Sequence, residues 1–486
     1  MGTGLLLGSR ADLRPTGFSG PVGHRSSGGR DRVDEMHRTE PQPQSHPLRG
    51  VAGVFLLAWT IRLLALGMTA STWPAGDEAD WLLRAARSAQ GLSGLEDGAR
   101  APGLIFFYAA AFKVFGAHIL VAKLANGLVS ALTIWPVYVL GRRLGGERVG
   151  WWAAFAVAVY PTFIAFSHYL WPAPLYIFLV STGIAWLVVG LEKPGSRDLP
   201  WLAAAGLCLG LSALVKESGL GFPVVAALWI LWRSRERGRR ALARGALVMG
   251  MAALVMMPWV LQMQRPDLPF ALITRTGYMN LFVGNHPQGH GVGMEEYPTL
   301  GATPRETELV ARDRAWHQIQ SRGFAWPFEK LAREGPRFFT PTSFAVRRLL
   351  AEPDSPGGWR YVFAWSWLDS RWVRGAAVVA VVASYLVALA LGPIGLILSR
   401  RSEITILFGA FIGTQLLPSL VMFSMSRFRL ASMVFLLIGA AAFAVRGRAD
   451  WAMVSPSRRL WAVGTAVLLL GMAALDGASV LESTGR

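Results

Sequence analysis

Long apolar blocks constrain this chain more than any other feature of its sequence. They recur from about residue 51 to residue 475, and most are roughly 17–25 residues long, the length with which an α-helix crosses a bilayer. The residues are 53% hydrophobic and only 16% charged, whereas an average soluble domain has about 25% charged residues. The sequence therefore predicts an all-α polytopic membrane protein.

Short arginine-rich loops separate many of these blocks. Lys and Arg concentrate in the cytoplasmic loops of membrane proteins, so each basic loop sets the direction of the helices beside it. Applied along the chain, this rule predicts about eleven spans of alternating direction. The predicted spans are 51–70, 119–140, 149–166, 172–191, 201–215, 220–232, 245–261, 375–398, 404–423, 430–445 and 460–475.

The net charge of +18 has the same explanation. Only five of the 48 basic residues are Lys, and the arginines lie mostly in the short loops, so the charge indicates topology and argues against a nucleic-acid partner. The single cysteine, Cys208, falls inside an apolar block. One buried thiol excludes a disulfide framework and a thiolate metal site.

The layout divides the chain into four regions. These are a disordered cytoplasmic tail (1–48), a first membrane module (49–264), a small external helical subdomain (265–374) and the last membrane helices (375–486). The tail is rich in Gly, Arg, Ser and Pro, and Met36 is an alternative start. Within the first module, residues 71–118 form an external loop. Its segments 78–90 and 104–115 are too polar or too short to cross and should lie on the membrane surface as helices.

An acidic cluster, Gly76-Asp77-Glu78-Ala79-Asp80-Trp81, lies near the start of the external loop. One interpretation is structural: Asp77 caps a helix, and Asp80 pairs with Arg84 one turn later. The other is catalytic: a carboxylate at the membrane face takes a proton from a reacting hydroxyl. The two interpretations are compatible.

Basic side chains lie at or inside the predicted external ends of the spans. A charge at depth in a bilayer is costly and usually faces a cavity or a partner. The planar guanidinium of Arg suits phosphate in particular, because it donates hydrogen bonds in pairs. Arg62 falls in the middle of the first span and Lys216 between two spans. The other cations of this kind are Arg100, Arg427 and Arg429.

Histidines do not indicate a zinc site. His168 follows the third predicted span, and His286 and His290 lie in the external subdomain, but no pair has the spacing of a metal motif. The residues leave open whether a divalent metal takes part.

Short motifs, in this order along the chain, resemble the glycosyltransferase family 39 group. These are polyprenyl-phosphate-sugar transferases that include protein O-mannosyltransferases and the lipid A aminoarabinose transferase. The resemblance covers about residues 50–450. The motifs are Gly76-Asp77-Glu78, Arg100-Ala101-Pro102-Gly103-Leu104, Gly141-Arg142-Arg143-Leu144, Tyr160-Pro161, Ser167-His168-Tyr169-Leu170-Trp171, Leu214-Val215-Lys216-Glu217 and Arg427-Phe428-Arg429-Leu430.

The resemblance implies a GT-C-like helix bundle and an inverting sugar transfer at the extracytoplasmic membrane face. It implies that Asp77 is the catalytic base and that Glu78 supports it. The candidate contacts to the carrier phosphate or the sugar are Arg62, Arg100, His168, Lys216, Arg427 and Arg429. Two positions depart from the family pattern: Ala173 stands where many relatives have an acidic residue, and Lys216 where Arg is frequent.

The expected partners are the lipid bilayer, a polyprenyl-phosphate-linked sugar as donor, and a lipid, glycan or protein acceptor. The expected location is the bacterial plasma membrane, with the N-terminus in the cytoplasm. Two other functions fit the same residues. A transporter or flippase of lipid-linked sugars would line a path through several spans with its charges, and a GT-C ligase or polymerase would move whole glycans.

Overall fold

The structure is a computed structural model that describes residues 47–484 except 71, 73, 75, 93–94, 96, 234–237, 265–269, 288–299 and 352–361. Its regular elements are helices throughout this part of the chain, so the predicted all-α fold is confirmed. In chain order the α-helices are α1 (Pro47–Met68), α2 (Asp77–Ala89), α3 (Pro102–Phe115), α4 (Ile119–Leu132), α5 (Ile134–Gly145), α6 (Glu147–Val159), α7 (Pro161–Phe166), α8 (Ala173–Leu191), α9 (Leu199–Val215), α10 (Phe222–Arg233), α11 (Gly238–Met263), α12 (Gly277–Asn285), α13 (Pro304–Arg322), α14 (Trp326–Phe338), α15 (Phe344–Leu350), α16 (Arg371–Leu398), α17 (Ser402–Val421), α18 (Leu430–Met453) and α19 (Pro456–Thr484).

Nine segments of the described chain are long and apolar enough to cross a membrane. They coincide with nine of the predicted spans. The other two predicted spans are shorter helices: 149–166 is divided between α6 and α7, and 220–232 is α10, with 12 residues. The predicted count of eleven is therefore not confirmed. The predicted tail lies outside the described residues up to residue 46.

Pro161 explains the break between α6 and α7. Proline has no N–H for the carbonyl of Val157, four residues earlier, and it favours an extended residue before it. Tyr160 is extended accordingly, with φ −65° and ψ 114°. The buried guanidinium of Arg62 in α1 donates to the carbonyl oxygens of Val157 and Ala158, at 3.4 and 3.0 Å. Arg62 thus ties α1 to α6 where the helix leaves carbonyl groups unpaired.

Small residues bring the long helices close together. A Cβ added at Gly206 of α9 would overlap the carbonyl of Val248 in α11, and one at Gly395 of α16 would overlap the carbonyl of Gly439 in α18. Helices inside a membrane associate by such close backbone packing, because no water drives them together. These contacts make one continuous bundle of α1 and α4–α11 with α16–α19.

The two ends of the bundle differ in chemistry. At one end, which we call the basic end, Arg143 pairs with Glu192, and Arg446 donates to the carbonyl of Gly145 at 3.3 Å. At the other end, which we call the α2 end, Thr72 donates to the carbonyl of Val362 at 2.9 Å. The helices α2, α3 and α12–α15 lie at the α2 end, where they contact the ends of the spanning helices. Both segments of the loop 71–118 that were predicted to form surface helices are helical, as α2 and α3. Their position on the membrane surface stays a prediction.

Candidate active site

Gly76 sets the start of α2 and with it the position of Asp77. Gly76 is the residue before the helix and has a φ of 56°, a conformation that glycine adopts without a Cβ penalty. The structure shows no side-chain capping bond here, so the predicted N-cap at Asp77 is wrong. Asp77 is instead the first residue of α2. Its carboxylate binds Arg100 instead of capping the helix.

Five alternating charges run along the α2 end of the bundle. Asp77 accepts from Arg100 at 2.6 Å, and the same guanidinium donates through Nε to Asp80 at 2.7 Å. Asp80 also accepts from Arg84 at 2.8 Å, so the predicted pair one helical turn apart is confirmed. Arg84 in turn donates hydrogen bonds from both terminal nitrogens to the carboxylate of Asp97, at 2.8 and 2.7 Å. We call these five residues the charge row.

The charge row holds Arg100 in place beside Asp77. Burial raises the pKa of Asp80, but the hydrogen bonds from Arg100 and Arg84 outweigh it and lower the pKa below its usual range. Asp80 is therefore ionised at neutral pH and fixes the Nε side of Arg100. The side chain of Asp77 remains 30% exposed, so its carboxylate can still meet a group from outside.

Arg427 lies on the other side of Asp77. It belongs to a 3-10 turn, Ser426–Arg429, that links α17 to α18 and that we call the arginine turn. Its Nη2 is 3.9 Å from Oδ2 of Asp77, and its guanidinium carbon lies 3.9 Å from the centre of the Trp171 ring. A cation over an aromatic face is attracted by the ring's quadrupole. Asp77 thus sits between two arginines that come from distant parts of the chain.

Two tryptophans form the floor under these arginines. Trp81 and Trp171 meet edge to face, with ring centres 5.7 Å apart. Arg100 lies over Trp81 at 5.0 Å, as Arg427 does over Trp171. The sequence did not single out either ring as part of a site, because an excess of Trp is typical of membrane interfaces.

Glu78 fixes one of these two rings, that of Trp171. It is buried and accepts from the indole N–H of Trp171 at 2.9 Å and from Arg348 of α15 at 3.2 Å. Arg348 is also buried, and it lies over the ring of Tyr169 at 4.4 Å. Glu78 therefore acts on the arginine turn through Trp171 and does not itself face outward. Arg348 was missed from sequence because nothing in its local pattern points to a partner 270 residues away.

Lys216 connects the arginine turn to a large cavity. The cavity has a volume of about 550 Å³ and is lined mainly by apolar side chains, with Lys216 and Phe428 among them. The ammonium of Lys216 is 4.8 Å from the ring of Phe428, the residue after Arg427. Burial, aided by the charge of Arg427, lowers the pKa of Lys216 to about 8. The cavity thus has a titratable cation on the side of the arginine turn.

Three of the predicted contacts are buried side chains whose described partners are groups other than Asp77. Arg62 donates to the carbonyls at the α6–α7 break, as described above. Arg429 is buried and donates to the carbonyls of Phe338 and Thr340, at 2.7 and 2.6 Å. His168 is buried beside Ser167, and burial lowers its pKa to about 3, so the ring is neutral. These contacts are structural, and we leave the three residues out of the candidate site.

Helix α14 holds the arginine turn from the outside. Glu334 is fully buried and accepts from the backbone N–H of Ser424 at 2.9 Å. Lys330, also buried, donates to the carbonyls of Met422 and Gly284 at 2.5 and 2.8 Å. With the two bonds from Arg429, these contacts fix both ends of the segment that carries Arg427.

The described residues contain no group of three or more His, Cys, Asp or Glu side chains arranged to hold a metal ion. His290, one of the histidines considered from sequence, lies outside the described residues. The described groups of the site are one partly exposed carboxylate, two flanking guanidiniums and a lysine at a cavity.

Comparison with known proteins agrees with the predicted resemblance. Residues 99–261, about a third of the chain, match the family model described as dolichyl-phosphate-mannose-protein mannosyltransferase. A curated relative, the undecaprenyl phosphate-alpha-4-amino-4-deoxy-L-arabinose arabinosyl transferase of Pseudomonas paraeruginosa, is 31% identical over 157 residues. That match covers 30% of this chain and 27% of the relative, so it spans about a quarter of the relative's length.

Solved structures confirm the type of fold. The oligosaccharyltransferase of Archaeoglobus fulgidus in its apo form has a TM-score of 0.50 at 15% identity, covering 89% of this chain and 56% of that one. The same archaeal protein in complex with an inhibitory peptide and a dolichol-phosphate has a TM-score of 0.50 at 17% identity, covering 88% and 56%. The predicted GT-C fold and the resemblance to transferases of this class are thus confirmed.

Proposed function

We propose that this protein is a membrane glycosyltransferase that moves a sugar from a polyprenyl-phosphate carrier to an acceptor hydroxyl. One observation carries the proposal: the carboxylate of Asp77 lies between Arg100 and Arg427, close to the cavity lined by Lys216. This arrangement joins a base, phosphate-binding cations and an apolar cavity, the three parts that such a transfer needs. The family match over residues 99–261 and the sequence relatives support the same reaction class.

In the proposed reaction, Asp77 takes the proton of the acceptor hydroxyl as its oxygen attacks the anomeric carbon of the sugar. The new carbon–oxygen bond forms on the face opposite the phosphate, and the bond to the phosphate oxygen breaks with its electron pair. The configuration at the anomeric carbon inverts. A positioned general base contributes typically ~10²–10⁴-fold to the rate.

The cations would stabilise the departing phosphate. Arg427 and Arg100 flank Asp77 and can donate paired hydrogen bonds to phosphate oxygens. Preorganised donors aimed at developing charge are usually the largest catalytic contribution. Asp80 keeps the Nε side of Arg100 occupied, which leaves its terminal nitrogens to be shared between Asp77 and the carrier.

The carrier's lipid chain would occupy the cavity beside Lys216. Its lining includes Leu220, Phe270, Leu272 and Phe423, which suit a hydrocarbon chain. Lys216 would then meet the phosphate where the chain ends. One of the archaeal structures of similar fold is a complex with a dolichol-phosphate, so we propose a phospholipid carrier of the polyprenyl class for this chain too.

We place the site at the extracytoplasmic face of a bacterial plasma membrane. The support is the distribution of arginines: the helix ends and loops at the basic end carry Arg142, Arg143, Arg240, Arg400 and Arg446, and Lys and Arg near the ends of spans concentrate on the cytoplasmic side. The α2 end would then face outward, with the N-terminus inside. The acceptor would be a lipid, glycan or protein hydroxyl at that face.

Profiling of lipids and glycans in a deletion strain tests this function. We expect one sugar-modified product to be lost and a polyprenyl-phosphate sugar to accumulate, with both changes reversed by the wild-type gene. Unchanged glycans and unchanged carrier pools in the deletion strain would contradict the proposal. A strain complemented with an Asp77→Asn variant serves as the matched comparison.

A further inference from the structure

An exposed apolar row runs from the turn between α13 and α14 along α14. Phe324 lies in the turn between the two helices, and Phe328 and Leu331 follow it in α14. Their exposed fractions are 98%, 74% and 44%. Spacings of four and three residues place the three side chains on one side of a helix. Such a row marks an interaction surface more often than a random scatter of apolar residues does.

The opposite side of α14 is already covered by protein. Lys330, Glu334 and Phe338 are buried there, against the segment that follows α17 and the carbonyl of Gly284. Helix α14 is thus amphipathic, with its polar anchors turned inward and its apolar row turned outward. This is the reverse of a helix on the surface of a soluble domain, where the apolar side faces the core.

The apolar row continues a surface that faces lipid. A Cβ at Gly335 of α14 would lie 3.7 Å from Met472 of α19 and 3.6 Å from Leu331. Met472 lies four residues before the end of the span Pro456–Asp476. The outer side of α19 exposes apolar residues up to that end, including Leu468 and Leu475. The row on α14 therefore begins where the lipid-facing side of α19 stops.

Exposed tryptophans occur at the same end of the bundle. Trp365, Trp367 and Trp372 surround the start of α16 and are all more than half exposed. The preceding segment bonds to the end of α1 through Thr72 and the carbonyl of Met68. Exposed Trp side chains at the ends of spanning helices are typical of the membrane–water interface, which indicates an interface near the start of α16, at the same end of the bundle as α14.

From these contacts we infer that α14 and the turn before it bind the lipid surface at the α2 end, with Phe324, Phe328 and Leu331 in the boundary between headgroups and acyl chains. An interfacial helix binds a membrane in this way, through a buried apolar side. The inference rests on the membrane spans and does not depend on the transferase function. It gives α14 a second role, because the helix that contacts the lipid also holds the arginine turn.

Site-directed spin labelling tests the lipid contact on the full-length protein in lipid nanodiscs. A Cys208→Ala background removes the single native thiol, and one cysteine is then introduced at Phe324 or Phe328. Matched controls carry the cysteine at Asp313 or Gln320, exposed polar positions of α13. The readout is the ratio of collision rates with oxygen, which concentrates in lipid, and with a water-soluble nickel chelate.

We expect a ratio several-fold higher at positions 324 and 328 than at 313 and 320. Equal ratios at all four positions would overturn the inference, as would a higher accessibility to the nickel chelate at 324 and 328. A thermal melting curve that matches that of the Cys208→Ala background verifies that each labelled variant is folded.

Discussion

At the scale of single residues, the site depends on side chains that fix the positions of Asp77 and its two arginine neighbours. Asp77 has two arginine neighbours, and each of these lies on a tryptophan ring that is fixed in turn by other contacts. Glu78 fixes the ring under Arg427. A base held among fixed cations needs little rearrangement during reaction, which is the physical basis of electrostatic preorganisation.

The lowered pKa of Lys216 predicts a pH dependence of carrier binding. Lys216 is protonated below about pH 8 and neutral above it, so its attraction for the carrier phosphate is present at lower pH and lost as the pH rises through that value. We expect KM for the carrier to increase across this range in the wild type. In Lys216→Arg the step should disappear, because Arg keeps its charge.

The matching loss variant is Lys216→Met. A hydrogen bond to a charged group contributes about 1.5–3 kcal/mol, so KM should rise about tenfold or more at neutral pH. Carrier titrations at several pH values measure both effects. An identical pH step in the wild type and in Lys216→Arg would assign the titration to another group.

The variant Glu78→Gln tests the structural role of Glu78 in holding Trp171 and Arg348. The amide can still accept from Trp171, but Arg348 loses its charge partner in a buried place, and breaking a buried pair in this way costs about 3–5 kcal/mol. We expect a lower thermal stability together with a lower kcat. Adding Arg348→Met should restore part of the stability, since it removes the unpaired charge. Equal stability of Glu78→Gln and the wild type would contradict the pairing.

At the scale of helices, α14 and the arginine turn behave as one unit. Gly284, Met422 and Ser424 come together under α14, and a Cβ at Gly284 would overlap the carbonyl of Met422. Lys330 donates hydrogen bonds to the carbonyls of Gly284 and Met422. The position of Arg427 therefore depends on α14, which holds the segment before the arginine turn.

Glu334→Gln tests this dependence. The variant removes the charge of the carboxylate that Lys330, Arg333 and Arg337 share, so we expect the segment before the arginine turn to loosen. The measured result should be a kcat reduced several-fold, with a lowered melting temperature. Glu329→Gln is the matched control, because it lies on the same helix and is exposed. Similar kinetics for the two variants would show that α14 does not position Arg427.

Helices were easier to predict than their ends. Hydropathy located the long spans, and the helical pattern of residues 78–90 located α2. The sequence patterns did not predict two helix ends. One is the break at Pro161, where a proline divides an apolar run. The other is the start of α2, where Gly76 is the N-cap residue and not Asp77 as expected. Both depend on the backbone conformation of one residue, which an average over a window of residues does not detect.

For the molecule as a whole, the sequence predicted which residues are charged at the α2 end but not which of them face each other. Asp77, Arg100 and Arg427 were found by their motifs and do meet. Arg62 and Arg429 have the same appearance in the sequence, yet they bind backbone carbonyls. Arg348 had no sequence signal, because its pairing with Glu78 depends on how α15 packs against the bundle. A pattern along one helix does not show which carbonyls another helix leaves unpaired.

The direction of the bundle in the membrane gives a prediction at this scale. In the Cys208→Ala background, a cysteine at Ser196, near the basic end, should resist a membrane-impermeant maleimide in intact cells and react after permeabilisation. A cysteine at Gln320 should react in both cases, once the outer barrier is opened. The opposite labelling pattern would place the α2 end in the cytoplasm.

The most direct test of the central claim is sugar transfer by purified Asp77→Asn. We expect the kcat of this variant to be lower by ~10²–10⁴-fold, the contribution of a general base, with carrier binding and thermal stability close to those of the wild type. Asp313→Asn, on the exposed side of α13, should transfer at the normal rate. Full transfer activity in folded Asp77→Asn would contradict the assignment of Asp77 as the base.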